Sequence, residues 1–148
     1  MSVELAILVT NTAVTWFMCG VIWFVQLVHY PMFARYDPRH FRPAMLEHQR
    51  GTSRVVVAPM LVELLTTIAL LVVRPAVVPG WMPWAGVVLV GVWGFSTALV
   101  QIPLHNRLAE RGFDAAAHRR LVRSNWVRTA AWTARAVLCG WMVWACNS

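Results

Sequence analysis

The chain has 148 residues, enough for one domain, and 59% of them are hydrophobic while only 13% are charged. That balance suits lipid rather than water. The net charge of +7 comes from 13 basic residues, all arginine, of which 11 fall in the stretches 30–54 and 105–128.

Clustered arginines in a water-soluble domain would first suggest phosphate neutralisation. Here they flank apolar runs, which is the pattern of cytoplasmic loops that retain positive charge, so nucleic acid is not an expected partner. The lipids of the membrane are.

The first apolar run lies between Glu4 and His29, where 24 consecutive residues carry no charge, more than the roughly 20 needed to cross a hydrocarbon core. Glu4 stands where a secretory signal has basic residues, and Phe17-Met18-Cys19 is a poor lipoprotein cleavage site. This helix, span 5–29, is expected to stay attached. Pro31 is expected to block its continuation. Asp37 followed by Pro38 then predicts an N-capped short polar helix toward Gln49, a ledge before the next span.

Span two is expected over 55–73, apolar except for Glu63, Thr66 and Thr67, and closed by Arg74-Pro75. Pro79 to Pro83 reads as an outer turn, with Trp81 and Trp84 suited to the membrane interface. Span three follows over 84–104. Asp114 predicts a second short helix, Ala115 to Ser124, and span four covers 126–146. The fold class is therefore an all-α bundle of four transmembrane helices with short amphipathic helices in its cytoplasmic loops. Both arginine-rich loops lie on one side, which places both termini outside the cytoplasm. The sequence thus predicts a multi-pass protein of the bacterial cytoplasmic membrane.

The halves look alike. Each descends to a glutamine, a histidine and a proline (Gln26, His29, Pro31; Gln101, His105, Pro103), crosses an arginine-rich loop with an aspartate cap, and returns through a span holding one ionisable residue. Two parallel hairpin repeats are one way to read this.

Helical periodicity puts Thr12, Thr15, Cys19, Gln26 and His29 near one stripe of span one, and Thr97, Gln101 and His105 on one stripe of span three. Such stripes turn inward, because polar atoms facing lipid are costly. Glu63 and Arg135 lie nine and ten residues into their spans, at a depth of roughly 13–15 Å, and are expected to pair. An intramembrane ionisable pair is a candidate catalytic centre, although the same pair can simply fix helix register.

A second cluster belongs to the inner membrane surface. His29, His105, His48 and His118 are candidate metal or haem ligands, without any accompanying HExxH or CxxCH motif; His40 faces the loop. Gln26, Gln101, Asn125 and Arg128 are candidate cofactor-binding residues, able to hold an anionic or quinone-like molecule, or lipid phosphate. Cys19, Cys139 and Cys146 have no metal-type spacing and read as packing residues.

The stretches Gln26 to Phe33, Pro59 to Glu63, Pro103 to Arg107 and Asn125 to Thr129 resemble those of small uncharacterised bacterial four-helix membrane proteins. The chain is also similar, in size and in its half-helix prolines with polar ends, to the anthrone-oxygenase-like domain. That resemblance implies oxidation of a hydrophobic substrate, and no catalytic residue carries over from it. In size and in its His-bearing first span the chain resembles the haem-binding four-helix protoporphyrinogen oxidases, but it contains no lysine to match their lysine partner.

The functional expectation is a membrane oxidoreductase with a polar interior pocket, acting on a hydrophobic or quinone-like substrate through haem, metal or quinone. The alternatives are a small transporter, in which Glu63 exchanges protons and Arg135 reads an anion, and a non-catalytic assembly protein. A homo-oligomer is compatible with each.

Overall fold

The structure is a computed structural model, and it describes residues 1–147. Among the described residues it is all-helical, built from four long helices: α1 (Val3–Arg35), α2 (Pro38–Ala69), α3 (Trp81–Arg111) and α4 (Ala115–Ala145). The first three are long and apolar enough to cross a membrane. The fourth is not among them, since Arg128 and Arg135 interrupt the stretch expected to cross.

Three helix starts carry a side-chain cap, two of them at the expected aspartates. Ser2 accepts from the Leu5 amide, Asp37 from Arg39, and Asp114 from Ala116 and Ala117. The side-chain hydrogen bond from Arg39 holds the Asp37 carboxyl below the usual carboxylate range. The Ala117 amide and the Arg107 guanidinium do the same for Asp114.

The two short loop helices expected before spans two and four do not exist as separate elements. Each is the first part of one unbroken helix, α2 or α4, because nothing between the polar and apolar segments breaks the backbone pattern. Pro31 does not end α1 either. A proline lacks the N–H that an α-helix needs and presses on the carbonyl four residues back. In α1 a π-helical turn, Val25–His29, precedes it, with the Tyr30 amide donating to the Val25 carbonyl, and the widened turn makes room. In α3 the turn Thr97–Gln101 precedes Pro103 in the same way, with Ile102 donating to Thr97. Span three therefore runs on to Arg111, where Gly112, at φ 83°, supplies the left-handed conformation that stops it.

At the arginine-rich end the two connections pack together. Phe41 meets Phe113 edge to face at 5.3 Å between ring centroids, and Arg42 Nε donates to the Ala109 carbonyl. Inside, apolar and polar layers alternate along the bundle. Phe33, Phe41, Leu108 and Leu121 fill the arginine-rich end, Met18, Ile22, Trp93 and Trp132 the middle, and Leu8, Met82, Cys139 and Met142 the other end. Between them lie two polar layers, one around Glu63 and Arg135 and one around Tyr30, Gln101 and Arg128. The outer surface is the reverse, with Trp16, Leu65, Val88, Phe95, Leu99 and Val137 all exposed. That is the arrangement lipid selects and water opposes.

Candidate functional site

The two polar layers differ in how completely their groups are satisfied. In the first, Arg135 Nε donates to Glu63 Oε1 at 2.7 Å, so the expected pair forms. Both side chains are almost fully buried, at 1% and 0% exposure. Arg135 Nη1 donates to the Gly86 carbonyl at 2.8 Å, and Nη2 donates to Thr67 Oγ1 at 2.8 Å and to Asn11 Oδ1 at 3.2 Å. Glu63 Oε1 also accepts from Thr15, and its Oε2 accepts from Trp132 Nε1 at 2.9 Å.

All four helices meet on this ion pair. Gly86 leaves room for it: a Cβ there would lie 2.9 Å from Arg135 Nη1, so the guanidinium would have to shift. Neither Glu63 nor Arg135 lines the chamber described below or either of two further cavities among the described residues. As candidate catalytic residues they are brought together but sealed off. Trp132 and Arg135 share the inward stripe that helical spacing gives α4, and Thr15 faces inward as expected, whereas Asn11 and Gly86 carry no expectation from the sequence and Thr12 does not face the pair. Thr12 instead satisfies itself on the Leu8 carbonyl, while Asn11 is buried and donates to Glu63 O, Thr66 and Thr67. A lone Asn in an uncharged span was the available signal.

The second layer encloses a chamber of about 470 Å³, within the usual range of small-molecule sites. Its polar lining includes Tyr30, His48, Gln101, His105 and Arg128. The two π-helical turns put their glutamines at this level, as such turns often do at functional sites. Gln101 lines the chamber, donates to Ser124 Oγ and accepts from the Tyr30 hydroxyl. Gln26 stands behind the wall: its Oε1 accepts from Asn125 Nδ2 at 2.9 Å, and Asn125 Oδ1 in turn accepts from Arg128 Nη1 at 3.0 Å. Of the four candidate cofactor-binding residues, Gln101 and Arg128 therefore face the space, and Gln26 and Asn125 position Arg128.

Arg128 is 9% exposed and has no carboxylate partner among the described residues. It lies over the Trp132 ring at 5.3 Å, and its Nε has no hydrogen-bond acceptor. A buried cation left this way is expensive, since the desolvation of an ion is repaid only by a well-placed counter-charge. His105 adds a second unsatisfied group. Its Nε2 is 2.8 Å from the Tyr30 hydroxyl, while its buried Nδ1 has no partner.

Three of the four candidate metal histidines gather at this level. His29 Nε2 and His48 Nδ1 are 2.7 Å apart, one ring donating to the other, and the His48 and His105 rings lie 5.3 Å apart. His118 does not join them. Its Nε2–H donates at 2.8 Å to the carbonyl of Tyr30, and the ring contacts Phe113. The gathered three do not form a preorganised metal centre. Tetrahedral zinc with bonds of about 2.0–2.1 Å needs ligand nitrogens roughly 3.3 Å apart, further than a hydrogen-bonded pair allows. Among the described residues no group of three or more His, Cys, Asp or Glu is placed to hold a metal ion.

Cys139 is buried and its thiol contacts Asn11 Oδ1, while Cys19 and Cys146 are half-buried, and all three are free. Compared with protein-family models, with curated proteins and with solved structures, the chain matches none.

Proposed function

We propose that the protein is a four-span integral membrane protein whose inner chamber binds a hydrophobic, quinone-like molecule, and that it acts on that molecule as an oxidoreductase. The observation that carries this reading is Arg128, a buried guanidinium on the chamber wall with no acidic partner among the described residues and an unused Nε. A carbonyl or phenolate oxygen at that place completes its hydrogen bonds and balances its charge.

The residues around it suit proton-coupled chemistry. As a quinone oxygen accepts electrons it gains negative charge, and a fixed guanidinium in a dry site stabilises that charge. His105, hydrogen-bonded to Tyr30, is positioned to pass a proton to it. Reduction takes two electrons and two protons; the protons pass through these side chains, and the two electrons come from a reduced electron-transfer protein, such as a flavoprotein, which is oxidised in the step. The transporter alternative draws less support, because Glu63 has both oxygens paired and does not line the chamber or the two other cavities described.

Four spans are supported by α4, whose length matches the other helices and whose arginines at 128 and 135 turn inward. The packing of both arginine-rich connections at one end supports that end being cytoplasmic, with both termini on the opposite side of a bacterial inner membrane. A duplicated hairpin is supported by register: Pro31 and Pro103 stand 72 positions apart, as do Glu63 and Arg135.

The test is equilibrium binding of a tailless benzoquinone to the purified protein in nanodiscs. Wild type binds it, and Arg128→Gln weakens binding by about tenfold or more, the scale of one charged hydrogen bond. Absence of binding, or affinity indifferent to Arg128, overturns the chamber reading. The oxidoreductase part falls if the loaded protein takes electrons from no donor in a quinone-reduction assay.

A further inference from the structure

The chamber has a neighbour on the membrane-facing side. Along the seam between α1 and α2 runs an apolar cavity of about 750 Å³, walled by Trp16, Phe17 and Phe24 on one helix and by Val55 on the other. It borders the chamber directly, because Val21, Val25, His48, Thr52 and Val56 line both spaces. A residue shared in this way is a partition one side chain thick.

Two glycines keep the seam open. Gly20 of α1 and Gly51 of α2 both line the outer cavity, and a Cβ added at either meets nothing within 4 Å. Neither glycine is there for close packing of helices, as small residues on membrane seams usually are. Their effect is to leave a trough unfilled on both helices. His48 stands where trough and chamber meet, its ring held by His29 at 2.7 Å and by Thr52 Oγ1 at 3.0 Å.

The polarity of the two spaces is that of the two parts of an amphiphile. The chamber offers a cation, an imidazole, a phenol and an amide. The trough offers aromatic and aliphatic carbon, and exposed positions such as Trp16 and Phe24 give it a direct mouth to the acyl chains.

We infer that the trough holds the linear hydrocarbon tail of the chamber's ligand, which enters sideways from the bilayer between α1 and α2. The substrate class is then a single-tailed amphiphile, with a carbonyl or phenolate head on Arg128 and an isoprenoid tail passing His48. This rests on the chamber binding such a head.

The experiment compares two quinones with the same ring, one tailless and one carrying a long isoprenoid tail, on nanodisc-embedded wild type, Gly20→Phe, Gly51→Phe and Arg128→Gln. Gly20→Ala and Gly51→Ala serve as folding controls. Arg128→Gln is expected to weaken both ligands. Each Gly→Phe variant is expected to weaken the tailed quinone by about tenfold or more while leaving the tailless one unchanged. If Arg128→Gln weakens both but the Gly→Phe variants bind the tailed quinone as wild type does, the trough holds only bulk lipid, and this inference fails while the chamber reading stands. If Arg128→Gln alters neither ligand, the chamber reading fails and the inference with it.

Discussion

Arg135 and Arg128 sit two turns apart on the same helix, and the difference between their surroundings separates architecture from a site. Arg135 is met by a carboxylate, a backbone carbonyl and side-chain oxygens, drawn from the other three helices. Arg128 is met by one amide oxygen, the Tyr30 phenol, an indole face and a cavity, with no carboxylate among the described residues. A fully answered charge fixes helix register; a charge answered on one side waits for something else. Burial alone would not have told them apart, since both are nine-tenths or more buried.

That contrast breaks most visibly at the sealed pair. Removing one partner strands the other, so Glu63→Gln or Arg135→Met is expected to cost about 3–5 kcal/mol. Thermal unfolding in detergent would show it as a large drop in midpoint for each single variant. The double variant Glu63→Gln/Arg135→Met is expected to lose less than the two single losses added together. Equal, additive losses would mean that the two side chains do not act as a pair.

A smaller effect is expected from Gly86→Val, whose branched side chain occupies the space of Arg135 Nη1. Overpacking of this kind typically costs about 1–3 kcal/mol. Gly86→Val placed on the Arg135→Met background should lose most of that penalty, because the atom it strikes is gone. A penalty unchanged on that background would put the strain elsewhere.

The smallest effect on stability, and the sharpest contrast, is at Arg128. Arg128→Met removes a cation that the fold leaves without a counter-charge, so the unfolding midpoint of the ligand-free protein is expected to hold or rise. A fall as large as that of Arg135→Met would show that Arg128 is structural after all and erase the distinction between the layers.

Much of the architecture was legible in the sequence, because hydrocarbon imposes a simple length rule and buried charges must find each other. Glu63 and Arg135 were matched by depth alone. What depth does not reveal is rotation. The position of His118, on the Tyr30 carbonyl rather than beside the other histidines, depends on where α4 points after Asp114, and nothing local encodes that. The unbroken helices were hidden for a related reason. A proline is read from its own chemistry, whereas the turn that accommodates it lies among ordinary residues such as Val25, Leu27 and Val28 with no distinguishing mark. Gly86 was invisible as a site residue because its contribution is a carbonyl and an absence of side chain.

The two widened turns also take up an added residue each. One added residue advances the screw of an α-helix by about 100°, which the wider turn at Val25–His29 absorbs. Delete one residue from the turn and the helix can close to α geometry with the phenol of Tyr30 near its present azimuth, but Pro31 loses its accommodation. What the extra residue supplies is room for a proline inside a continuous helix, so a one-codon deletion there would strain the backbone at Pro31 without redirecting the polar groups themselves.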